Sequence, residues 1–174
     1  MKSLAVFCGS RVGTDSDFSK MAREFGRQML EKDITLVYGG AQVGLMGEIS
    51  NEIMQGGGKV IGVIPNSLKR KEIAQEDCTE LIVVDTMHDR KNIMYNKSDA
   101  FVALPGGPGT MDEFFEVYTW SQLNFHNKPC YLWNMKGYYD HLIAHINHMA
   151  KMEFMSKEDL DKIKVVESAD QIWS

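Results

Sequence analysis

The sequence is poor in cysteine and has no long apolar run. Its three cysteines are odd in number, lie far apart and include no CxxC pair, so they indicate neither a disulfide framework nor a zinc knuckle. No apolar stretch approaches the roughly 20 residues of a membrane-spanning helix. The apolar stretch near the N-terminus is also too short for a signal peptide. We therefore expect a protein without membrane association that resides in the cytoplasm.

Positive charge is also scarce, since the 174 residues carry a formal net charge of −5. Nucleic-acid-binding proteins usually present a basic face, so we expect no nucleic-acid partner. Hydrophobic residues at 44% and charged residues at 25% are ordinary for a globular protein. The length suits one domain with a substantial core, and we assign residues 1–174 to a single domain.

Apolar runs alternate with amphipathic segments along the whole chain. The runs predict strands at 4–8, 34–38, 60–64, 81–84, 99–104 and 129–133, with a shorter run at 165–166. Helical spacing predicts helices at 18–32, before the glycines 56–58, and at 86–97, 110–125 and 138–151, while 66–79 is predicted to be an irregular surface segment. This alternation predicts an α/β sandwich of three layers, in which helices cover both faces of a mostly parallel sheet.

Glycines follow the first, second and fifth of these strands. They are Gly9, a cluster at 39–47 and a cluster at 106–109. The carboxyl ends of parallel strands share one edge of a sheet, and ligands bind at that edge in α/β folds. No Walker loop or GxGxxG fingerprint follows any of these strands, so a P-loop NTPase or an NAD enzyme is disfavoured. The glycines favour backbone amides that surround a mononucleotide.

The stretch from Leu104 to Glu113 is the most informative part of the sequence. A strand runs into three glycines and two prolines, and a helix follows with Thr110 predicted as its N-cap. Free N–H groups and the dipole at such a helix start favour a bound phosphate. Glu113, and Glu116 on the same helical face, would then offer carboxylates to a ribose. Thr110-x-x-Glu113 also fits a capping box, in which the glutamate has a structural role only.

Arg90 provides the opposite charge. It lies in the first turn of the helix after the fourth strand, and Glu113 in the first turn after the fifth. Both side chains would project from one edge of the sheet if those two strands are neighbours. A guanidinium binds phosphate through a bidentate fork and keeps its charge. The alternative is a solvated arginine on a surface helix, and the residues alone leave both roles open.

Two further patterns have simpler interpretations. Cys8 ends a strand near the predicted site, and we favour a small buried side chain over a reactive thiol. His141, His145 and His148 share one face of a helix, which would suit a metal. No carboxylate or cysteine motif completes such a site, so we expect no bound metal.

Several spaced motifs resemble those of the LOG ("lonely guy") family, the cytokinin riboside 5′-monophosphate phosphoribohydrolases, whose members were often labelled lysine decarboxylases. The stretch from Pro105 to Glu113 matches the family's PGGxGTxxE motif. The other matching segments are, in order, 7–10, 38–40, 44–47, 87–91, 98–101 and 119–120. One departure is Ala41, where many members have a third glycine, and alanine is a small change.

This resemblance implies a Rossmann-like fold, a homodimer and hydrolysis of the N-glycosidic bond of an adenine-type nucleoside 5′-monophosphate, giving free base and ribose 5-phosphate. It implies that Arg90 and Glu113 are catalytic and that Thr110 holds phosphate together with glycine amides. The residues expected to bind substrate or phosphate are Gly9, Ser10, Gly39, Gly40, Gly44, Met46, Met87, Lys91, Gly106, Gly107, Gly109, Thr110, Glu116 and Thr119.

We therefore hypothesise a phosphoribohydrolase that acts on a small-molecule nucleotide without metal or cofactor. AMP and prenylated adenylates are both candidate substrates. One alternative is a carrier that binds a nucleotide or the molybdenum cofactor without turning it over. A weaker alternative is a decarboxylase in which Lys91 forms a Schiff base with pyridoxal phosphate, although no accompanying motif supports it.

Overall fold

The computed structural model describes residues 1–69 and 73–173, which form an α/β sandwich around one sheet. Every pair of neighbouring strands in this seven-stranded sheet is parallel. The strands are β1 (Ser3–Phe7), β2 (Thr35–Tyr38), β3 (Val60–Pro65), β4 (Glu80–Val84), β5 (Ala100–Ala103), β6 (Cys130–Trp133) and β7 (Ile163–Val166). The predicted fold class is confirmed, and the short apolar run near residue 165 belongs to the edge strand β7.

Helices connect the strands and cover both faces of the sheet. They are α1 (Ser16–Glu31), α2 (Gly44–Gln55), α3 (Met87–Asn96), α4 (Pro108–Gln122), α5 (Asp140–Lys151), α6 (Lys157–Leu160) and α7 (Asp170–Trp173). A 3₁₀ turn, Met135–Gly137, precedes α5. Within the described parts of the chain, each helix is too short or too polar to cross a bilayer.

The side chains of β1 alternate between two cores, as successive residues of a strand must. Leu4 and Val6 belong to the core that also contains the buried residues of α1 and α2. Ala5 and Phe7 belong to the core that contains the buried residues of α4. All four side chains are almost fully buried. β1 is therefore covered on both faces, which explains its continuous apolar sequence.

Part of the segment expected at the surface is attached to the loop after β2. The sequence predicts an irregular, exposed segment at 66–79, of which residues 70–72 lie outside the described residues. Gln75 is nevertheless only 3% exposed, and its N–H donates to the carbonyl of Gly40 at 2.9 Å. Ala41 and Ala74 form an antiparallel bridge. Contacts from a segment outside the sheet therefore hold the glycine-rich loop after β2 in place.

The strand order reverses at β1. The spatial order is β4-β3-β2-β1-β5-β6-β7, so the chain builds one side of the sheet first and then returns to place β5 beside β1. A crevice forms at the carboxyl edge of such a switch point, where the loops after the two strands diverge. β4 and β5 are not neighbours, so the condition under which the sequence brings Arg90 and Glu113 to one edge is not met. The helix between those strands, α3, carries Arg90 back over the ends of β2 and β3.

His126 links α4 to the segment that leads into β6 through hydrogen bonds to the main chain. The N–H of Lys128 donates to Nδ1 of His126 at 3.0 Å, and Nε2 lies 2.8 Å from the carbonyl of Val117. Since Nδ1 accepts a hydrogen bond, Nε2 carries the proton and donates it, which defines a neutral tautomer. Burial is the main reason that the pKa of His126 lies below its ordinary value of 6.5.

We expect His126 to titrate below pH 6.5 in the folded protein. Between the folded pKa and 6.5, the ring is neutral in the folded protein but protonated in the unfolded chain. The contribution of His126 to the unfolding free energy is therefore complete above pH 6.5. The contribution falls as the pH drops towards the folded pKa. NMR titration of the ring signal, identified by its loss in His126→Asn, measures this pKa, and a midpoint at or above 6.5 contradicts the expectation.

Candidate active site

The three glycine-rich loops are hydrogen-bonded to one another at the carboxyl edge of the sheet. The N–H of Gly9 donates to the carbonyl of Pro105 at 3.0 Å, across the switch point between β1 and β5. The N–H of Leu45 donates to the carbonyl of Gly9, also at 3.0 Å. Gly44 has φ +63°, and a Cβ there would lie 2.3 Å from the main-chain nitrogen of Arg11. The close approach of these loops therefore requires glycine at position 44.

α4 begins earlier than the sequence predicts. Gly107 is its N-cap and Pro108 its first residue, so the prediction of Thr110 as N-cap is wrong. Proline suits the first helical position because its missing N–H has no acceptor there in any case. The capping-box interpretation of Glu113 is also wrong, because the cap is a glycine without a side chain and Glu113 lies in the second turn.

The first turn of α4 is not covered by other side chains at Gly107 and Gly109. A Cβ built on Gly107 or Gly109 would meet no atom within 4 Å outside its own chain neighbours. A Cβ on Gly106, by contrast, would lie 2.0 Å from Oγ1 of Thr110, which is 4% exposed and packs against the loop. The first N–H groups of a helix have no intrahelical acceptor and attract an anion. This turn therefore has the geometry of a phosphate-binding site.

Arg90 is buried, with 6% of its surface exposed. Its Nε donates to the carbonyl of Val63 at 3.0 Å, and its Nη2 donates to the carbonyl of Gly39 at 3.2 Å. Its Nη1 lies 3.8 Å from Oε1 of Glu113 on α4. The interpretation of Arg90 as a solvated surface residue is therefore wrong. The two carbonyls offset part of the cost of removing the guanidinium from water and direct its remaining edge towards the carboxylate.

The loop after β2 leaves space for that guanidinium because it has no side chain at position 39. A Cβ on Gly39 would lie 2.0 Å from Nη2 of Arg90 and 2.9 Å from Sδ of Met46. Real Cβ atoms do not approach other atoms so closely. Gly40 has φ +76°, a conformation that other residues rarely adopt. The glycines of this loop thus leave the space that the side chain of Arg90 occupies.

Lys91 pairs with α4 beside the contact between Arg90 and Glu113. Its Nζ lies 3.1 Å from Oε2 of Glu116 and 3.3 Å from Oδ2 of Asp112. Burial lowers the pKa of Lys91, but the hydrogen bonds and charges of these carboxylates outweigh burial and leave the pKa above its ordinary value. A Schiff base requires a neutral amine, so this paired ammonium group does not suit the decarboxylase alternative.

Cys8 and the three histidines do not add reactive groups to the site. Burial raises the pKa of the Cys8 thiol, and the charge of Glu113 raises it further, so the thiol stays protonated. The interpretation of Cys8 as a small buried side chain is confirmed. His141, His145 and His148 are exposed on α5. Across residues 1–69 and 73–173, no group of three or more histidine, cysteine or acidic side chains is placed to hold a metal ion.

Comparisons with known proteins agree with the LOG motifs found in the sequence. The model of a family described as "Possible lysine decarboxylase" matches residues 46–174. Over 165 residues the chain is 46% identical to a cytokinin riboside 5′-monophosphate phosphoribohydrolase of Rhodococcoides fascians, covering 94% of this chain and 83% of the relative. A protein of that name from Arabidopsis thaliana is 46% identical over 155 residues, which cover 89% of this chain and 73% of the relative. The chain belongs to the LOG family.

The fold is shared beyond the LOG relatives. A molybdenum cofactor carrier protein of Chlamydomonas reinhardtii superimposes with a TM-score of 0.72, covering 98% of this chain and 92% of the carrier. The two sequences are only 22% identical, so this likeness shows the fold alone. The LOG relatives, at about twice that identity, are named as phosphoribohydrolases.

The structure does not gather all the residues that the LOG family implies into one cavity. Met87, which is 40% exposed, has its Sδ 3.9 Å from Nη1 of Arg90. Glu116 and Thr119, however, line a hollow of about 400 Å³ on α4 together with Trp120. Glu116 is connected to the rest of the site through its ion pair with Lys91.

Two residues beside the phosphate-binding turn are absent from the sequence prediction. A cavity of about 390 Å³ lies between the loop after β1 and the loop after β5, and Arg11 and Tyr138 contribute to its lining. Arg11 directly follows the Gly9-Ser10 pair, so its position after a strand was a usable signal. Tyr138 donates its hydroxyl to the carbonyl of Gly106 at 2.7 Å, and no local pattern connects residues so distant in the chain.

We expect Gly39→Ala to destabilise the protein by about 2 kcal/mol, because the added methyl group overlaps the guanidinium of Arg90. In an Arg90→Ala background the same change should cost clearly less, since the guanidinium is gone and only the milder overlap with Sδ of Met46 remains. Urea unfolding of the four proteins in this double-mutant cycle measures the coupling. Equal costs of Gly39→Ala in both backgrounds would show that Arg90 does not determine the need for glycine.

Proposed function

We propose that the protein hydrolyses the N-glycosidic bond of adenine-type nucleoside 5′-monophosphates and releases free base and ribose 5-phosphate. The contact between the buried guanidinium of Arg90 and the carboxylate of Glu113, 3.8 Å apart, carries this proposal. It places one positive and one negative group at the same edge of the sheet as the uncovered backbone at Gly107 and Gly109. Membership of the LOG family supports the same reaction.

The phosphate of the substrate binds to the main-chain N–H groups at the start of α4. Binding energy from this group, which does not react, positions the sugar for chemistry. Residues 106 and 107 are glycines at the entry to the helix, so the backbone itself approaches the phosphate. The amides are uncharged, so neighbouring carboxylates do not neutralise them. They bind the phosphate and leave Arg90 and Glu113 available for the sugar and the base.

The reaction breaks the bond between C1′ of the ribose and N9 of the adenine. As that bond lengthens, positive charge develops on the sugar, as it does in glycoside hydrolysis. The carboxylate of Glu113 stabilises this charge and orients the attacking water, whose oxygen bonds to C1′. One proton of the water goes to the departing base. Arg90 orients the substrate and supports the base or the phosphate, and its guanidinium keeps its charge throughout.

We expect Glu113→Gln to lower kcat at least about a hundredfold, because an amide does not stabilise a developing cation as a carboxylate does. The fold should persist, since the substitution keeps the shape of the side chain. Chromatography of reactions with a panel of nucleoside monophosphates, including AMP and isopentenyladenosine monophosphate, measures the released base and shows which base is preferred.

Glu31→Gln is the matched control for this experiment. Glu31 is exposed at the end of α1, and the strand that follows runs from there towards the edge that holds the site. This variant should retain wild-type kcat. Near-normal release of base by Glu113→Gln would contradict the role of the carboxylate, and binding of nucleotides without any release of base by the wild type would favour a carrier.

We also propose that the protein forms a homodimer, as the family resemblance implies. The half-buried rings of Phe115 and Trp120 in the hollow on α4 support this proposal, because they expose apolar surface on an otherwise amphipathic helix.

Light scattering after size exclusion should give a molar mass about twice the 19.7 kDa of one chain. Apolar contacts between two copies would hold the dimer together, so its mass should not change with moderate salt. A mass of one chain at every concentration up to the micromolar range would contradict the proposal.

A further inference from the structure

Tyr138 ties the phosphate-binding turn to a distant part of the chain. It follows the 3₁₀ turn Met135–Gly137, and its hydroxyl donates to the carbonyl of Gly106 at 2.7 Å. Its ring is 45% exposed, meets the ring of Phe18 edge-on at 5.9 Å and contributes to the lining of the cavity beside the turn. Tyr138 therefore touches the loop that we assign to the phosphate, although no sequence motif includes it.

The orientation of one peptide group depends on this hydrogen bond. The carbonyl of Gly106 and the N–H of Gly107 belong to the same planar, trans peptide, so they point in opposite directions. Fixing the carbonyl therefore also fixes the N–H. Both flanking residues are glycines, whose backbone dihedral angles are the least restricted, so this peptide rotates more easily than any other in the turn.

We propose that Tyr138 is a positioning residue that holds the N–H of Gly107 in the orientation that binds the phosphate of the nucleotide; this inference rests on the proposed function. If the peptide rotates by half a turn, a carbonyl oxygen replaces the N–H. That oxygen repels the phosphate dianion instead of donating to it. Tyr138 acts on phosphate affinity through the backbone, without contact with the reacting atoms.

The 3₁₀ turn before Tyr138 is itself anchored to the start of α1. Nζ of Lys136 lies 2.6 Å from Oδ2 of Asp15 and 2.7 Å from Oδ2 of Asp17. Lys136 has φ +52° and Gly137 has φ +74°, which reverses the chain sharply just before the tyrosine. These contacts hold the hydroxyl of Tyr138 in place, so the bond to Gly106 is pre-formed in the protein without ligand.

The next residue provides a matched control. The hydroxyl of Tyr139 donates to the carbonyl of Leu104 at 2.6 Å, two residues before Gly106 in the same loop. The following residue is Pro105, which has no N–H, so this peptide has no donor to orient. Tyr139→Phe removes the same kind of bond from the same loop. It should lower the thermal midpoint, because the hydroxyl and its acceptor are buried, but it should not alter phosphate affinity.

We expect Tyr138→Phe to raise the Kd for ribose 5-phosphate about five- to tenfold, as the loss of one hydrogen bond of ordinary strength would. Isothermal titration of the wild type, Tyr138→Phe and Tyr139→Phe with ribose 5-phosphate measures this effect. The KM for AMP should rise by the same factor in Tyr138→Phe, while kcat at saturation should change less than twofold. Thermal unfolding of the three proteins reports any general loss of structure.

The outcomes separate this inference from the proposed function. Unchanged affinity in Tyr138→Phe, or equal weakening in both variants, overturns the positioning role even if the wild type releases base. Selective weakening in Tyr138→Phe supports the role even if no nucleotide is hydrolysed, in which case only the hydrolase proposal fails. If the wild type binds neither ribose 5-phosphate nor AMP, both proposals fail together.

Discussion

The burial of the Arg90 guanidinium is the constraint on which the site depends. A buried charge costs several kcal/mol unless nearby groups compensate it. Here the compensation comes from three separate elements, through the carbonyl of Gly39 after β2, the carbonyl of Val63 in β3 and the carboxylate of Glu113 on α4. Satisfying this one side chain thus fixes a loop, a strand and a helix relative to one another, and it explains why position 39 has no side chain.

The site divides its work between backbone and side chains. We assign the phosphate to the main-chain amides at the uncovered start of α4, whereas charged side chains on α3 and α4 face each other at the same edge of the sheet. Lys91 on α3 forms a second link to α4 through its ion pair with Glu116. Together with the pair between Lys91 and Asp112, these ion pairs hold α3 against α4, and the carboxylate that the proposed reaction needs is therefore fixed before substrate arrives.

Much of the fold could be predicted from the sequence, and the errors have identifiable causes. Alternating apolar and amphipathic runs predicted the strands and most helices, because the repeat of a strand and the repeat of a helix are both visible within a short stretch of sequence. The start of α4 was misplaced because threonine is the better cap by propensity, yet Gly107 and Pro108 already fit the first turn. Whether β4 and β5 are neighbours could not be read from the sequence, because strand order depends on how distant segments pack, which no local pattern records.

The sequence by itself determined the α/β class and the glycine-rich edge, because these follow from residue types and their spacing along the chain, and its resemblance to the LOG motifs singled out Arg90 and Glu113. Only the tertiary structure decided that Arg90 is buried, that it reaches Glu113 across the ends of strands that lie between, and that Tyr138 holds the carbonyl of Gly106. Those contacts join residues far apart in the chain, and packing alone brings such residues together.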